Sequence, residues 1–374
     1  MENPLKTTFV TEAKRDEYFL HKLATHRSSN ADPITGIAAL KDDDDNQSML
    51  DKYAHIGRFS IGAAVETELT RLDPTRTGLI SVALRTKCKE QGITLEHQGL
   101  TIGTVIHGLD LAHVSDAAIT TIHEILLERK VVFFRNQQHL TKEQHVQFGR
   151  RFGTLEIHPF SQPVQDFPHI LRIKNDKHRP ASINVWHSDV TWRTKPSLGS
   201  ILLMRKKPKF GGDTLFCDSH CQFDGLAQEL KDKIQGLTAV HDFKGFRRAQ
   251  RRLGVPQQII DEMRTHFPQA SHPVVRTHPN TGKQSLYVSQ NFTEHIQGVS
   301  AEESARILKV LYAQCRVPEY QCRFQWEEGS IAFWDNRACQ HYASADYYPD
   351  SRVVERVTVC GGVPFFHKKE SSKL

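Results

Sequence analysis

Apolar residues follow two different spacings downstream of residue 92. Spacings of three and four predict helices, at residues 116–129, 222–235, 256–267 and 300–315. Two capping-box pairs add helix starts, namely Thr141 with Gln144 and Ser300 with Glu303. Each pair places a hydroxyl before the first turn and a polar partner three residues later, so helices are expected to begin at residues 141 and 300.

Short apolar runs between Gly, Pro and Asp turns predict β-strands. They lie at residues 131–134, 170–173, 200–204, 214–217, 285–288, 330–334 and 353–359. Many short strands interrupted by a few helices are typical of a β-sandwich or jelly roll. The pattern therefore predicts a mainly β fold, a β-sandwich or jelly roll with helical insertions, and leaves the strand order open.

The first 91 residues are polar and mixed, with weak periodicity. Their four consecutive aspartates, residues 42–45, are interpreted as a solvated loop, since neighbouring carboxylates on a flexible loop are not arranged for a metal. We expect residues 1–91 to form an extension that is partly disordered or wraps the main domain. Residues 92–366 are expected to form that domain, and residues 367–374 a polar tail.

Composition narrows the function classes for these 374 residues. The net charge of +6 and pI of about 8.9 fit either an ordinary solvated surface or a site for an anion. No long basic run and no alternation of basic and aromatic residues is present, so nucleic acid is not an expected partner. No apolar run is long enough to cross a membrane. The oligomeric state stays open, a homo-oligomer included.

The chain ends in Ser372-Lys373-Leu374. At a free C-terminus, SKL is a peroxisomal address that an import receptor recognises. We expect a peroxisomal location, with that receptor as a partner, if Leu374 is the native last residue. A chance tripeptide on a polar tail is the alternative, and it leaves the cytoplasm as the location.

Seven scattered cysteines, an odd count without CxxC, indicate a reducing compartment. Cys217 and Cys221 flank His220, which could suggest zinc. No second cysteine pair completes a four-ligand site, so free buried thiols are favoured.

The strongest local chemical signal is Trp186-His187-Ser188-Asp189. Side chains two residues apart on an extended segment point to the same side, so His187 and Asp189 converge. With a distant histidine they would complete a 2-His-1-carboxylate triad, which leaves positions open on Fe(II). Alone, an HxD pair is weak evidence, because most such pairs are surface residues or hydrogen-bonded histidines.

The candidate distant histidine is His341, which follows the apolar strand that ends in Trp334-Asp335. Arg352 and Arg356 come after it on another predicted strand and, four residues apart, share a face. A buried arginine needs an anionic partner, and its planar fork suits a carboxylate or sulfonate. The alternative is that both are surface charges, which the flanking valines disfavour.

Taken together, these motifs resemble the taurine dioxygenase family of Fe(II)/2-oxoglutarate-dependent dioxygenases. The resemblance rests on WHSDVTW, on GGDT before Phe216, on VVRTHP followed by GKQ, and on WDNR with QHYASADY before the R-x3-R pair, and it runs from about Gly92 to Phe365. It implies a double-stranded β-helix (jelly-roll) core. It also implies Fe(II), 2-oxoglutarate and O2 as metal and cosubstrates, with release of succinate and CO2. It also implies roles for six residues: His187, Asp189 and His341 on the metal, Thr214 and Arg352 on 2-oxoglutarate, and Arg356 on the substrate's anionic group.

Only some of the other substrate-pocket positions match the residues that the family has there. His158, Val190 and Phe292 match pocket residues of the family, and Phe246 falls near a pocket phenylalanine. Ser161 and Ile183 replace the tyrosine and asparagine that serve the amine end of taurine in the family. Because an unpaired buried ammonium is costly, we expect a small aliphatic sulfonate or carboxylate rather than taurine itself. The alternative is that Ile183 packs outside the pocket and Asn184 takes the polar role.

Other functions remain as competing hypotheses. The same machinery could oxidise a free amino acid by desaturation or ring closure instead of hydroxylation. A jelly roll that binds metal without catalysis is the alternative from another class. Thr214 and Arg352 disfavour it, since a metal-binding protein needs no 2-oxoglutarate site. Oxidation of nucleic acid or protein would call for a broad groove, for which no residue cluster gives a sign.

Overall fold

The computed structural model describes residues 11–26, 79–159, 163–178 and 184–368. Its helices are α1 (Glu12–His26), α2 (Val82–Glu90), α3 (Asp116–Arg129), α4 (Lys142–Arg150), α5 (Ser219–Asp224), α6 (Gln228–Ile234), α7 (Lys244–Arg252), α8 (Gln257–His266) and α9 (Ala301–Ala313), with 3-10 turns at Gln314–Arg316 and Pro318–Tyr320. Its strands are β1 (Thr94–His97), β2 (Thr104–His107), β3 (Val131–Phe134), β4 (Pro163–Val164), β5 (Phe167–Asn175), β6 (Gly199–Lys206), β7 (Thr214–Asp218), β8 (Thr238–His241), β9 (Ala270–Pro273), β10 (Val275–Thr277), β11 (Gln284–Leu286), β12 (Thr293–Ile296), β13 (Gln321–Phe324), β14 (Ile331–Asp335), β15 (Cys339–Ala343) and β16 (Arg352–Val359).

Two sheets carry the core. The large sheet has the strand order β1-β2-β3-β14-β6-β16-β5-β4, and a three-stranded sheet has the order β13-β7-β15. In the large sheet β2 and β3 run parallel, whereas β14 pairs antiparallel with both of its neighbours. Apolar residues of both sheets, among them Phe133 and Trp334 from the large sheet and Phe216 and Phe324 from the small one, form one buried cluster. The sheets therefore enclose a common core, and the predicted jelly roll is confirmed.

Burial on both faces explains why the strands of the large sheet are continuously apolar. Along β3, Val131 and Phe133 join the core between the sheets. The alternate residues Val132 and Phe134 join a second cluster, under helices α2, α3 and α4. Since successive side chains of a strand point to opposite faces, both faces of β3 must be apolar.

Side-chain caps begin helices α3 and α4, and the cap of α4 is the predicted capping box. The Ser115 side chain accepts a hydrogen bond from the Ala118 N–H at the start of α3. At α4, Thr141 and Gln144 form both halves of the capping box. These bonds satisfy N–H groups that the first turn of a helix leaves without partners.

The predicted helix at residues 222–235 is wrong as a single element. Gly225 closes α5, and Ala227 is extended, with ψ of 143°, before α6 begins. The Asp218 carboxylate also caps the His220 N–H, so α5 begins earlier than its apolar spacing indicates. Two short helices separated by an extended residue can therefore share one apolar periodicity.

The predicted capping box at α9 is half wrong. Ser300 accepts a hydrogen bond from the Glu303 N–H at 3.1 Å, as expected. The Glu303 carboxylate bonds to Arg306 instead of the backbone of Ser300, because an arginine three residues on offers a charged partner. The predicted strand at residues 285–288 is also shifted, since β11 ends at Leu286.

The cysteine prediction is confirmed for six residues, which are free and buried, while Cys360 is exposed. The Gln222 side chain donates to the Cys217 and Cys315 sulfurs at 3.1 and 2.9 Å. Burial raises the pKa of Cys217, so this thiol stays protonated and is a poor metal ligand. Within the described ranges, no helix is both long and apolar enough to span a membrane. The aspartate run and the C-terminal SKL lie outside these ranges, and the peroxisomal address stays a prediction.

Acid is expected to destabilise the fold through buried histidines such as His145. Burial lowers the pKa of His145 from 6.5 to about 3, with Arg205 adding to the effect. Between those values the unfolded chain binds a proton that the folded protein does not, so stability is lost as pH falls below about 6.5, by at most about 1.4 kcal/mol per pH unit for one group. Chemical unfolding of His145→Gln should show a shallower loss between pH 7 and 5 than wild type, and His21→Gln, at an exposed residue of α1, should not. Equal slopes for both variants would contradict this account.

Candidate active site

Three buried side chains converge between β15 and the segment that precedes β6. His187 and Asp189 lie on that segment, and His341 lies on β15. The Asp189 Oδ1 atom is 3.8 Å from His187 Nε2 and 4.0 Å from His341 Nε2. One ligand atom from each residue fits within 4.8 Å of the other two, the geometry of a shared metal ion.

The backbone fixes this triad. The His187 N–H donates to the His341 carbonyl at 3.1 Å, and the His341 N–H donates back at 2.8 Å. The Asp189 N–H donates to the Asn336 side chain at 3.1 Å. Val190 then adopts φ of +47°, a conformation that a β-branched residue avoids and that costs on the order of 1–3 kcal/mol. Strain directly after a metal ligand is typical of a functional site.

The charge states of the three side chains at neutral pH are those of metal ligands. Burial lowers the pKa of His341 to about 3 and also lowers that of His187, so both imidazoles are neutral near pH 7. Burial alone would raise the pKa of Asp189, but the Arg356 guanidinium and the Ser200 hydrogen bond favour the charged carboxylate, and the net effect lowers that pKa. The His187 Nδ1 atom lies 2.8 Å from the Val185 carbonyl, which accepts its proton and leaves Nε2 free for a metal.

This donor set fits a non-haem iron. Two neutral imidazoles and one ionised carboxylate form a facial triad, whose remaining positions suit a chelating 2-oxo acid and O2. The Ser200 hydroxyl donates to Asp189 Oδ2 at 2.8 Å and orients the carboxylate. The predicted triad of His187, Asp189 and His341 is therefore confirmed as a metal-binding site.

Thr214 and Arg352 meet on either side of Trp326. The Trp326 indole donates to the Thr214 hydroxyl at 3.0 Å, and the Arg352 guanidinium lies 5.8 Å from the centre of the indole ring. Arg352 is 6% exposed, its Nε has no hydrogen-bond partner, and no carboxylate of the described residues pairs with it. Burial accordingly lowers its pKa. A buried cation without an anion fits the distal 2-oxoglutarate carboxylate.

The glycine pair before Thr214 allows close approach to Arg352. Gly212 has φ of +70°, and a Cβ there would lie 3.3 Å from Arg352 Cδ and 3.2 Å from the Tyr347 ring. Its N–H donates to the Asp346 carboxylate at 2.8 Å, which fixes the turn. Only glycine combines this backbone conformation with the available space.

Arg356 reaches the metal site from β16. Its Nη1 donates to Asp189 Oδ1 at 2.9 Å, while its Nε has no hydrogen-bond partner. Arg356 and His158 also line one small cavity, together with Glu156, Leu171 and Thr358. The structure thus brings the two residues predicted to contact the anionic group to the same cavity, next to a metal ligand.

The other predicted pocket residues form an apolar cluster beside the triad. Val190, Phe246 and Phe292 belong to one buried group, and the Phe292 ring lies 6.3 Å from the His187 ring. Ser161 and Ile183 lie outside the described residues, so the choice between Ile183 and Asn184 for the polar role stays a prediction.

Three residues that hold the site were not predicted from the sequence: Ser200, Trp326 and Asn336. Asn336 also accepts from the Trp334 indole at 3.0 Å and donates to Ser197 at 2.8 Å. Its place in WDNR, directly after a buried strand, was the available signal. Trp326 and Ser200 carry no motif, and their roles depend on contacts between distant segments.

A jelly roll that holds this triad beside an unpaired buried arginine defines a 2-oxoglutarate-dependent non-haem iron dioxygenase, which uses Fe(II), 2-oxoglutarate and O2. Residues 94–358 match the family described as taurine catabolism dioxygenase TauD, TfdA family, and the chain belongs to this family.

Known relatives agree with this assignment. An alkylsulfatase of Acinetobacter baylyi is 34% identical over 271 residues, which are 70% of this chain and 83% of the relative. An alpha-ketoglutarate-dependent sulfate ester dioxygenase of Pseudomonas putida is 33% identical over 268 residues, 70% of this chain and 88% of the relative. The crystal structure of a taurine dioxygenase from Burkholderia xenovorans matches with a TM-score of 0.63 and 34% identity, covering 73% of this chain and 93% of that one. Small anionic substrates therefore fit this enzyme.

Proposed function

We propose that this enzyme oxidises a small aliphatic sulfonate or sulfate ester. The observation that carries the proposal is the cavity that Arg356 and His158 both line, since Arg356 also bonds to the Asp189 carboxylate. An anionic group held there would place the adjoining carbon next to the metal. The names of the relatives from Acinetobacter baylyi and Pseudomonas putida favour sulfur oxyanions.

Each polar residue has a distinct role in the proposal. His187, Asp189 and His341 hold Fe(II), which when bound supplies the oxidising power for C–H cleavage. Arg352 and Thr214 hold the distal 2-oxoglutarate carboxylate. Arg356 exchanges its bond with Asp189 for the substrate's anionic group, aided by His158. The apolar cluster of Val190, Phe246 and Phe292 excludes water and contacts the aliphatic part.

The overall reaction balances for hydroxylation. One oxygen atom of O2 enters the substrate, and the other enters succinate as 2-oxoglutarate loses CO2. Hydroxylation of the carbon that bears the sulfur oxyanion gives an unstable adduct. It would collapse to an aldehyde with sulfite from a sulfonate, or with sulfate from a sulfate ester.

A substrate panel tests the proposal. Succinate release by the Fe(II)-loaded enzyme would be measured with alkyl sulfonates, alkyl sulfates, taurine, aliphatic carboxylates and amino acids, with product masses determined in parallel. Stimulation by alkyl sulfonates or sulfates, and weak stimulation by taurine, is expected because Ile183 offers an ammonium no hydrogen bond. Stimulation only by an amino acid, with loss of two hydrogens, would instead support desaturation or ring closure.

Arg356→Met should raise the KM for the preferred anionic substrate by about 10²-fold, because a charge-assisted hydrogen bond contributes roughly 1.5–3 kcal/mol. The KM for the cosubstrate 2-oxoglutarate should change little, since Arg352 is intact. The matched control is Arg172→Met, at an exposed arginine on the neighbouring strand β5. An unchanged substrate KM in Arg356→Met, or an equal rise in the control, would contradict the assigned role.

A further inference from the structure

Helix α1 lies outside the family-matched segment but packs beside the active site. Phe19 and Leu23 are fully buried in the same apolar cluster as Val190, Phe246 and Phe292. The Phe19 and Phe267 rings lie 5.0 Å apart, which joins α1 to the residue that follows α8. The helix thus contacts the group that forms the apolar side of the substrate site.

A buried row of charges continues from α1. The Arg193 Nη1 atom donates to Asp16 Oδ2 at 2.7 Å. Its Nη2 atom lies 2.7 Å from Glu156 Oε1, but this contact lacks the alignment of a hydrogen bond. All three side chains are largely buried: Arg193 is 11% exposed, Asp16 6% and Glu156 7%. Asp16 therefore sets the orientation of the guanidinium, and Glu156 supplies only an ion pair.

Two members of this row, Arg193 and Glu156, reach the active site. The Arg193 N–H donates to the Val190 carbonyl at 3.0 Å, which closes the turn that follows the metal ligand Asp189. Glu156 lies two residues before His158, and it lines the same cavity as His158 and Arg356. Arg193 thus joins two parts of the site: its backbone bonds to the turn at Val190, and its guanidinium pairs with Glu156 in the segment that carries His158.

We propose that Asp16 is a positioning residue of the active site, which acts through Arg193 and Glu156 to hold the anion-binding side of the pocket. Without Asp16, Arg193 would form a directed bond with Glu156 and draw the two segments out of place. By thermodynamic reciprocity, α1 docking and the binding of anionic substrate stabilise each other. This inference rests on the proposed function, because it identifies the cavity as the place of the substrate's anion.

The test compares Asp16→Asn with two controls, using hexyl sulfate as the probe. The controls are Glu17→Gln, at the exposed next residue of α1, and Asp16→Glu, which keeps the carboxylate. Asp16→Asn should raise the KM for hexyl sulfate about tenfold, since small misplacements of bound groups cost large factors. The cosubstrate KM and the visible absorption of the anaerobic Fe(II)–2-oxoglutarate complex should stay unchanged, Glu17→Gln should match wild type, and Asp16→Glu should restore most of the affinity. An unchanged KM for hexyl sulfate, or a parallel loss of cosubstrate and metal binding, would overturn the inference.

Hydrogen exchange in the wild-type protein supplies a second test that needs no variant and no turnover. With Fe(II) and 2-oxoglutarate bound under anaerobic conditions, saturating inorganic sulfate or hexyl sulfate should slow amide exchange in residues 12–23. Unchanged exchange there with both anions would overturn the coupling. Absence of succinate release with hexyl sulfate and the rest of the substrate panel would count against the proposed function alone, since the exchange measurement does not depend on it.

Discussion

Asp189→Asn should abolish turnover, with a fall of at least about 10³-fold, and should weaken Fe(II) binding by more than the roughly 10–100-fold that loss of an outer hydrogen bond to a metal ligand typically costs. Asp189 is the one anionic ligand of the triad, and its pKa is lowered, so its charge is present at neutral pH. The amide keeps the size of the side chain but removes this charge. Metal affinity by titration and succinate release with the preferred anion would both be measured.

The matched control is Asp232→Asn, the same change at an exposed residue of α6. It should bind iron and turn over as wild type does. Retention of metal affinity and activity in Asp189→Asn would place the metal elsewhere. Thermal unfolding of the two variants without metal would show that any difference comes from the site and not from the fold.

Arg352→Met should raise the KM for the cosubstrate 2-oxoglutarate by about 10²–10³-fold, because a bidentate bond between a guanidinium and a carboxylate is among the strongest hydrogen-bonded contacts. Arg352 is buried beside Trp326 without an anionic partner among the described residues, so methionine should also relieve the cost of a buried, unpaired charge. We therefore expect the apo protein to become more stable while it loses cosubstrate affinity.

A gain in apo-protein stability together with a loss of 2-oxoglutarate affinity would distinguish a binding role of Arg352 from a structural one. Arg150→Met, at the exposed last residue of α4, is the matched control and should change neither quantity. A less stable Arg352→Met protein with unchanged 2-oxoglutarate affinity would mean that Arg352 supports the fold. Arg356→Met should instead change the KM for the anionic substrate, so the roles of the two arginines can be distinguished.

The mainly β fold and the pairing of His187 with Asp189 follow from short-range patterns. Strand β3 is a run of four apolar residues that are buried on both faces of the large sheet. The apolar run itself was the signal in the sequence for a strand. His187 and Asp189 are two residues apart, so their convergence is a property of extended backbone. His341 was only a candidate by its place after an apolar strand, and its role on the metal came from the family resemblance, since its approach to His187 depends on how β15 lies beside the segment before β6.

Contacts between distant segments could not be predicted from local patterns. Trp326 and Thr214 are 112 residues apart, and Arg193 and Asp16 are 177 apart. Neither pair leaves a periodicity or a motif, because each is fixed by packing of elements that the sequence specifies separately. The predicted helix at residues 222–235 was wrong for a related reason. The Asp218 side chain caps α5, so this helix begins before the apolar pattern does and ends at Gly225.

The central claim is that the triad beside Arg352 couples oxidation of an anionic substrate to 2-oxoglutarate decarboxylation. The most direct test measures succinate and oxidised product together, under O2, for wild type and Asp189→Asn. We predict succinate and product in a ratio near one for wild type with its preferred sulfonate or sulfate ester, and neither compound for Asp189→Asn. Equal succinate formation by both proteins, or none from wild type with any anion of the panel, would contradict the account.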